Sequence, residues 1–250
     1  MENEPSVVEV DIVSDVMCPW CIVGYKQLEQ ALGLTGFGAQ VRWHPFELNP
    51  NMSREGQNLA EHITEKYGAS PEQSAQNREH LRTLGQSLGI TFDFSPESRI
   101  VNTFAAHQLL DFALSQGKQH PLKLALFEAH FTQQRDVSDH TVLLDVAASV
   151  DLPVEEAREV LETGALAETV REKQAIWDER GISETTPKSS VKRLPRQRDC
   201  MDHYARPDGL PQGRGMDGGA GRGDCRRPSR RMYLAPGASS PLHCWYIRKA

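Results

Sequence analysis

The chain has 250 residues, of which 38% are hydrophobic and 25% charged, so it is long and apolar enough to bury the core of one large domain or two small ones. Its net charge of −6 argues against nucleic acid as a partner of the whole chain. This average hides a split, because residues 184–250 contain 14 Lys and Arg against 6 Asp and Glu, which leaves residues 1–183 with 14 against 28. The acidic and basic parts are therefore interpreted separately.

The first residues are acidic and lack the basic segment and apolar stretch of a secretory signal peptide. No run of 18 apolar residues is present that would cross a bilayer. We therefore expect a cytoplasmic protein that does not bind membranes. In that reducing compartment, closely spaced cysteines are more often redox-active or metal-binding than structural.

The first 50 residues predict one supersecondary unit. Alternating apolar residues predict a strand at residues 7–13 and a second strand at residues 40–46. Between them, apolar residues at helical spacing predict a helix that begins at Cys18 and ends near Gly33. A strand, a helix and a second strand in so few residues predict a βαβ unit with parallel strands.

From about residue 54 to residue 180 the apolar residues follow helical spacing. The predicted helices cover residues 55–68, 71–89, 101–117, 120–134, 139–150, 153–163 and 165–179. This is too much helix for a crossover connection, so the sequence predicts a helical subdomain inserted in an α/β domain. We expect no strand pair between residues 54 and 170, and we expect the helices to pack over the mouth of a site at Cys18.

Cys18 and Cys21 form a Cys-Pro-Trp-Cys motif at the junction between the predicted strand and helix. With Pro19 at the first helical position, the free N–H groups of the first turn would point at the Cys18 sulfur and lower its pKa to about 3.5–7. Cys21 lies on the same helix face and can close a disulfide. We therefore expect Cys18 to attack a substrate disulfide and Cys21 to resolve the mixed disulfide. Trp20 is expected to form either a substrate surface or a lid over the disulfide.

Three other interpretations of this motif are open. A lone Cys-x-x-Cys can be half of a zinc site, but the second pair that zinc requires is missing before Cys200, and no metal is expected. The two cysteines could also be buried packing residues or a remnant without function. Pro and Trp between them at a helix start favour redox chemistry.

Three segments together carry a family resemblance: SDVMCPWCIVG, then VRWHPFELNP, then IVNTFAAHQLLDFA. In order and spacing they resemble the DsbA-like thioredoxin-fold family, in particular its FrnE-type branch, which is related to 2-hydroxychromene-2-carboxylate isomerase and kappa-class glutathione transferase. The resemblance covers roughly residues 7–183. It implies a thioredoxin-like α/β fold with an inserted α-helical subdomain, with Cys18 as nucleophile and Cys21 as resolving cysteine.

The same resemblance implies that the substrates are protein or small-molecule disulfides. It implies no bound cofactor beyond the redox-active disulfide, with glutathione as a candidate co-substrate. The isomerase and transferase relatives carry Ser at the first position of the motif and bind glutathione. The Cys at position 18 favours disulfide exchange over glutathione-dependent isomerisation.

Further candidate site residues are His44, Asn49 and Asn102, which match family positions near the active-site cleft and are candidates for substrate binding. The alternative is that Asn49 caps a turn and Asn102 caps the helix that follows. His107 and His130 lie beside apolar neighbours on predicted helices, and both are expected to be packing residues.

The chain departs from the family pattern after Ser183, where that pattern continues with a cis-proline loop, a hairpin and a last helix. Pro187 is the candidate cis-proline, but it comes one residue late and no apolar residue precedes it. Residues 184–250 contain 8 Gly, 7 Pro and 11 Arg, and six of the 67 residues are Val, Ile or Leu. This composition predicts disorder and no strand.

Three explanations are open for residues 184–250. They are an out-of-frame translation of a gene whose proper frame encodes the hairpin and helix, a basic tail that binds nucleic acid or an acidic partner, or a divergent folded end. The abrupt change beside a family motif favours the first. The coding DNA tests it, because another reading frame should then encode an apolar residue, a proline and alternating strands after Ser183.

The sequence thus predicts a thioredoxin-like βαβ part at residues 1–50, a helical insertion and return helix at residues 51–180, and an atypical basic tail at residues 181–250. The expected activity is thiol–disulfide exchange in the direction of reduction or isomerisation, because a glutathione pool keeps both cysteines reduced. One alternative is a glutathione-dependent isomerase or transferase-like enzyme. Another is a non-enzymatic helical scaffold with a basic nucleic-acid-binding tail.

Overall fold

The structure, a computed structural model, describes residues 7–182 and a strand at residues 245–249. Strand β1 (Val7–Ser14), helix α1 (Pro19–Thr35) and strand β2 (Gly38–Pro45) form the predicted βαβ unit, and β1 and β2 pair in parallel along their whole length. The helix ends at Gly36 instead of Gly33, because Gly36 adopts the left-handed conformation (φ 69°) and its N–H donates to the Leu32 carbonyl.

The remaining helices follow the predicted order, and each of their ends lies within four residues of the predicted end. They are α2 (Leu59–Tyr67), α3 (Pro71–Ser87), α4 (Phe104–Ser115), α5 (Gln119–Phe131), α6 (His140–Ser149), α7 (Val154–Thr163) and α8 (Ala167–Glu179). Side-chain caps fix several of the starts. Ser70 and Gln73 form a reciprocal capping box at α3, and Asp139 accepts the Thr141 N–H at α6.

The prediction of no strand pair between residues 54 and 170 is wrong. Strands β3 (Gln57–Asn58) and β4 (Arg99–Ile100) pair antiparallel and bracket α2 and α3. Each strand has two residues, which is too short for an alternating apolar pattern to appear in the sequence. The pairing of β3 with β4 brings together the two ends of the segment that contains α2 and α3.

The buried apolar residues of the described chain form two clusters. One contains residues of α4, α5, α6 and α7, such as Leu109, Leu122 and Leu143. The other joins the βαβ unit to the helices, since Ile12 and Trp43 of the sheet and Cys18 and Cys21 of the motif pack with residues such as Phe127. The cysteine pair therefore lies where the sheet meets the helical subdomain.

Strand β5 (Trp245–Lys249) pairs antiparallel with β1 and gives a three-stranded sheet of order β2-β1-β5. The composition of residues 184–250 predicts no strand, and at these five residues that prediction is wrong. The backbone ladder of β1 thus has partners on both sides. Pro187 and the other predictions for residues 183–244 lie outside the described residues.

Within residues 7–182 and 245–249, no helix combines the length and the apolar composition that crossing a bilayer requires.

Gly85 allows α3 to approach the segment that follows it, which yields a stability test. A Cβ at position 85 would lie 2.6 Å from Phe92 Cδ2 and 2.8 Å from the Ile90 carbonyl oxygen. We expect Gly85→Ala to lower the free energy of unfolding by about 1–3 kcal/mol, despite the better helix propensity of Ala. Gly33→Ala is the matched control, because a Cβ at that helical position meets no described atom within 4 Å apart from its chain neighbours and the backbone of its own helix. Urea unfolding followed by circular dichroism measures both, and a Gly85→Ala protein as stable as wild type would contradict the packing described.

Candidate active site

Cys18 is the N-cap residue of α1 and lies directly after the turn that follows β1. Its extended backbone (φ −88°, ψ 108°) stops the helix from starting earlier, and Pro19 occupies the first helical position, where no N–H is needed. Cys21 lies one turn further on, and its N–H donates to the Cys18 carbonyl oxygen at 3.1 Å. Both thiols are reduced and buried, with 4% of Cys18 and 8% of Cys21 exposed.

A cavity of about 380 Å³ opens beside Cys18. Met17, Cys18, Pro19 and Trp20 border it on the side of the motif. Residues of α2, α3, β4 and α5, and of the segments after β2, before β4 and after α5, form its other walls. Cys21 is not one of the residues from the described part of the chain that border this cavity. The two sulfurs are therefore unequal, because a molecule in the cavity reaches Cys18 while Cys21 lies behind it.

Three polar side chains form a buried cluster at the motif, which we call the basal cluster: Asp15, His107 and Lys123. Asp15 accepts hydrogen bonds from the Leu48 N–H at 2.7 Å and the Met17 N–H at 3.3 Å. The His107 Nε2 lies 3.6 Å from Asp15 Oδ1, which is too long for a hydrogen bond, so this contact is electrostatic. Burial by itself would raise the pKa of Asp15, but His107, the Leu48 N–H and Lys123 together hold it below its usual value.

Lys123 projects from α5 and is fully buried. Its Nζ donates to the Ser14 carbonyl oxygen at 3.1 Å and lies over the rings of Phe127 (4.9 Å) and Trp43 (5.4 Å). Burial lowers the pKa of Lys123 to about 8, although the charges of Cys21 and Asp15 oppose that shift. The ammonium is therefore still charged at pH 7 and loses its charge as the pH rises past about 8.

The sequence predicts a lowered pKa for Cys18, and this prediction is wrong for the reduced pair. The hydrogen bond that Cys18 donates to Cys21, and then burial, raise the pKa of Cys18 well above its ordinary value. The same hydrogen bond lowers the pKa of Cys21 against the effect of burial, and Ser14 and the ammonium of Lys123 lower it further. The backbone N–H of Cys21, in the first turn of α1, lowers the pKa of Cys18, but this effect is smaller than the hydrogen bond between the two thiols and burial, which raise it. These opposite shifts favour the first negative charge of the pair on Cys21, with Cys18 donating to it.

The other predicted site residues separate into two groups. Asn49 borders the cavity, where its side chain accepts a hydrogen bond from Lys66 at 2.7 Å, and Trp20 borders it with its ring centroid 6.1 Å from that of His80. His44 lies elsewhere, 2.8 Å from Asp11 and against the ring of Trp177.

Asn102 also lies apart from the cavity-bordering residues of the described chain. Its Oδ1 accepts the N–H of Phe104, the first residue of α4, at 2.9 Å, although the N-cap residue of that helix is Thr103. His130, expected to be a packing residue, borders the cavity, and burial lowers its pKa to about 4. Substrate binding by His44, Asn49 or Asn102 stays a prediction.

Sequence reasoning missed the basal cluster and the cavity wall. Asp15 is three residues before Cys18, so an acidic residue beside the motif was the available signal. Lys123 gave none, because a lysine within a predicted helix is ordinarily exposed. Residues 7–182 and 245–249 contain no group of three or more His, Cys, Asp or Glu side chains arranged to hold a metal ion.

Comparison with known proteins gives one family. Residues 9–183 match the DSBA-like thioredoxin domain. The crystal structure of a probable DsbA oxidoreductase from Streptomyces coelicolor is 30% identical, with a TM-score of 0.66 over 72% of this chain and 78% of that one. The uncharacterized protein YwbO of Bacillus subtilis (strain 168) is 26% identical over 165 residues, or 66% of this chain and 77% of that protein.

A structure of 2-hydroxychromene-2-carboxylate isomerase shares the fold at 14% identity, with a TM-score of 0.52 over 70% of this chain and 81% of that one. These similarities confirm the DsbA-like resemblance and the thioredoxin-like fold class, and they are consistent with the FrnE-type branch.

Lys123→Met tests whether the buried ammonium sets the charge of the cysteine pair. The substitution keeps an unbranched side chain in the buried site and removes the positive charge that lowers the pKa of Cys21. We therefore expect the first ionisation of the pair to move to higher pH, as followed by the ultraviolet absorbance of the thiolate. Lys118→Met removes a half-exposed ammonium next to the same helix and should leave this titration unchanged. A Lys123→Met titration equal to wild type, or shifted to lower pH, would remove Lys123 from this role.

Proposed function

We propose that this chain, which belongs to the DSBA-like thioredoxin domain family, is a thiol–disulfide oxidoreductase that reduces or isomerises disulfides through Cys18 and Cys21. One observation carries the proposal. Cys18 borders the cavity, while Cys21 lies one helical turn behind it. A substrate in the cavity therefore meets Cys18 first, as an attacking thiol requires, and Cys21 is close enough to resolve the mixed disulfide afterwards.

The first step joins Cys18 to the substrate. The proton of Cys18 passes along its hydrogen bond to the Cys21 sulfur, so that the negative charge moves to the sulfur that borders the cavity. The Cys18 thiolate then attacks one sulfur of a disulfide R–S–S–R′, the substrate S–S bond breaks, and R′–S⁻ leaves. The charge is conserved, because the pair begins with one negative charge and the R′–S⁻ thiolate holds that charge at the end of this step.

The second step closes the protein disulfide. Cys21 gives its proton to the departing thiolate, which leaves as R′–SH, and the attraction of Lys123 favours the resulting Cys21 thiolate. This thiolate attacks Cys18, the mixed disulfide breaks, and R–S⁻ is released. The substrate has gained two electrons, and the protein now holds a disulfide between Cys18 and Cys21. In isomerisation, R–S⁻ or another substrate thiolate attacks the mixed disulfide before Cys21 does.

Turnover requires a reductant, for which we propose a small thiol such as glutathione as co-substrate. Two thiol molecules reduce the protein disulfide to the dithiol and leave as their own disulfide, which balances the two electrons passed to the substrate. A cytoplasmic location fits this direction, because the thiol pool there holds such pairs reduced. Protein and small-molecule disulfides are both substrates of the proposed reaction.

Substituting the two cysteines one at a time separates their roles. With insulin as substrate and dithiothreitol as reductant, we expect Cys18→Ser to reduce catalysis by at least about 100-fold, because the nucleophile is lost. Cys21→Ser removes both the proton acceptor of the first step and the resolving thiol. We therefore expect a slower first step and a mixed disulfide that accumulates on Cys18, visible as an added mass in non-reducing mass spectrometry. Cys225→Ser is the matched control and should turn over at the wild-type rate. Full activity of Cys18→Ser would exclude the proposed nucleophile, and an inactive wild type would favour the scaffold alternative.

A further inference from the structure

His62 presents an unpaired acceptor at the wall of the cavity. Only 8% of this α2 residue is exposed, and its Nδ1 lies 2.8 Å from Gln57 Oε1. The Gln57 amide nitrogen donates to Glu65 at 2.7 Å, which turns Oε1 toward the imidazole and places the ring proton on Nδ1. The Nε2 of His62 is buried and has no hydrogen-bond partner among the described residues.

A buried acceptor without a partner is unfavourable, so a group that donates to Nε2 from the cavity would be bound there. Burial lowers the pKa of His62, with help from Lys66, and keeps the imidazole neutral with its lone pair on Nε2. His62 is therefore suited to an N–H or O–H group of a ligand.

Arg78 also borders the cavity and supplies a cation to its wall. Its Nη1 donates to Ser74 Oγ at 2.7 Å, and Ser74, which is 4% exposed, itself borders the cavity. The guanidinium is thus held at the wall. Arg135, which also borders the cavity, pairs with Asp145 at 2.8 Å, and Arg99 donates to a backbone carbonyl at 2.6 Å. Arg78 has no carboxylate within 4.0 Å among the described residues, so its remaining donors can bind an anion.

The cavity wall also carries acidic side chains. Asp93 and Glu97 border it from the segment before β4, and Asp136 borders it from the segment after α5. These carboxylates repel a ligand carboxylate, so its binding depends on the guanidinium of Arg78. Leu59, Ile63 and the apolar residues near them fill much of the wall between the polar groups.

The cavity itself has room for a small molecule. A volume of about 380 Å³ falls at the lower end of the range for small-molecule sites, which is about 300–1,000 Å³. An acid of a few carbon atoms with one amide or hydroxyl group fits such a space, and its sulfur can reach Cys18 at the border.

We infer that this cavity selects small organic disulfides in which the half bound in the cavity carries a carboxylate, held by Arg78, and an N–H or O–H group, which donates to His62. The inference rests on the proposed exchange at Cys18 and names its substrate class. The covalent step is the exchange already described, with this half retained on Cys18 and the other half leaving as a thiol.

Three matched disulfides test the inference: 3,3′-dithiodipropionate, its dimethyl ester, and N,N′-diacetylcystine. The ester removes the carboxylate charge, and the diacetylcystine adds an amide N–H beside the carboxylate. Reduced full-length protein is mixed with each probe, quenched with acid, and the released thiol is quantified by chromatography. Each variant is compared with wild type on the same probe, so intrinsic differences in disulfide reactivity cancel.

We expect Arg78→Gln to lower the rate constant for dithiodipropionate by about 10-fold or more and to leave the ester within about twofold of wild type. His62→Leu should slow diacetylcystine more than dithiodipropionate, because only the former has an N–H for Nε2. Arg158→Gln, which removes an exposed guanidinium on α7, is the control and should change none of the rates.

Equal slowing of all three probes by Arg78→Gln, or no slowing of any, would overturn the inference. So would an unchanged preference between diacetylcystine and dithiodipropionate in His62→Leu. Failure of the proposed function gives a different result, since Cys18→Ser would then react as fast as wild type with every probe.

Discussion

The buried carboxylate of Asp15 holds the active-site region together. Its two oxygens accept the N–H groups of Met17, in the turn before the motif, and of Leu48, in the segment after β2. The Leu48 carbonyl oxygen in turn accepts a hydrogen bond from Lys66 of α2 at 2.6 Å. One carboxylate therefore links the turn that carries Cys18 to the helix that forms the cavity wall. Because that helix also carries His62, the position of the wall relative to Cys18 depends on this link.

The carboxylate of Asp15 also compensates for the buried positive charge of Lys123. A fully buried ammonium is costly unless an opposite charge and hydrogen bonds compensate for it. Asp15 and the Ser14 carbonyl oxygen provide that compensation, and the ammonium then lowers the pKa of Cys21. The hydrogen bond to Cys21 and burial raise the pKa of Cys18 and favour its protonated form in the reduced pair. Cys18 is thus the cysteine that borders the cavity, and Cys21 is the cysteine on which the negative charge is favoured. In the proposed mechanism, one proton transfer from Cys18 to Cys21 moves the charge to the accessible sulfur.

Local signals predicted the βαβ unit, the helices and the cysteine pair, because strand alternation, helical spacing and the placement of Pro19 depend on neighbouring residues alone. The features that decide the chemistry depend on distant contacts. Lys123 is 109 positions from Ser14, and no periodicity shows that their contact places an ammonium near Cys21. The β3–β4 ribbon has two residues in each strand, so the sequence carried no pattern for it. The prediction of a lowered pKa for Cys18 is wrong for the same reason. The helix start can be recognised from the sequence, whereas the contacts of the basal cluster cannot.

The most direct test of the account is the identity of the first protein sulfur to form a mixed disulfide. Reduced wild-type protein is mixed with less than one equivalent of 3,3′-dithiodipropionate, quenched in acid before the second step, and digested for peptide mapping by mass spectrometry without reduction. Because Cys18 borders the cavity and Cys21 lies behind it, the account predicts that the first adduct is on Cys18. A first adduct on Cys21, or on any cysteine outside the pair, would contradict it.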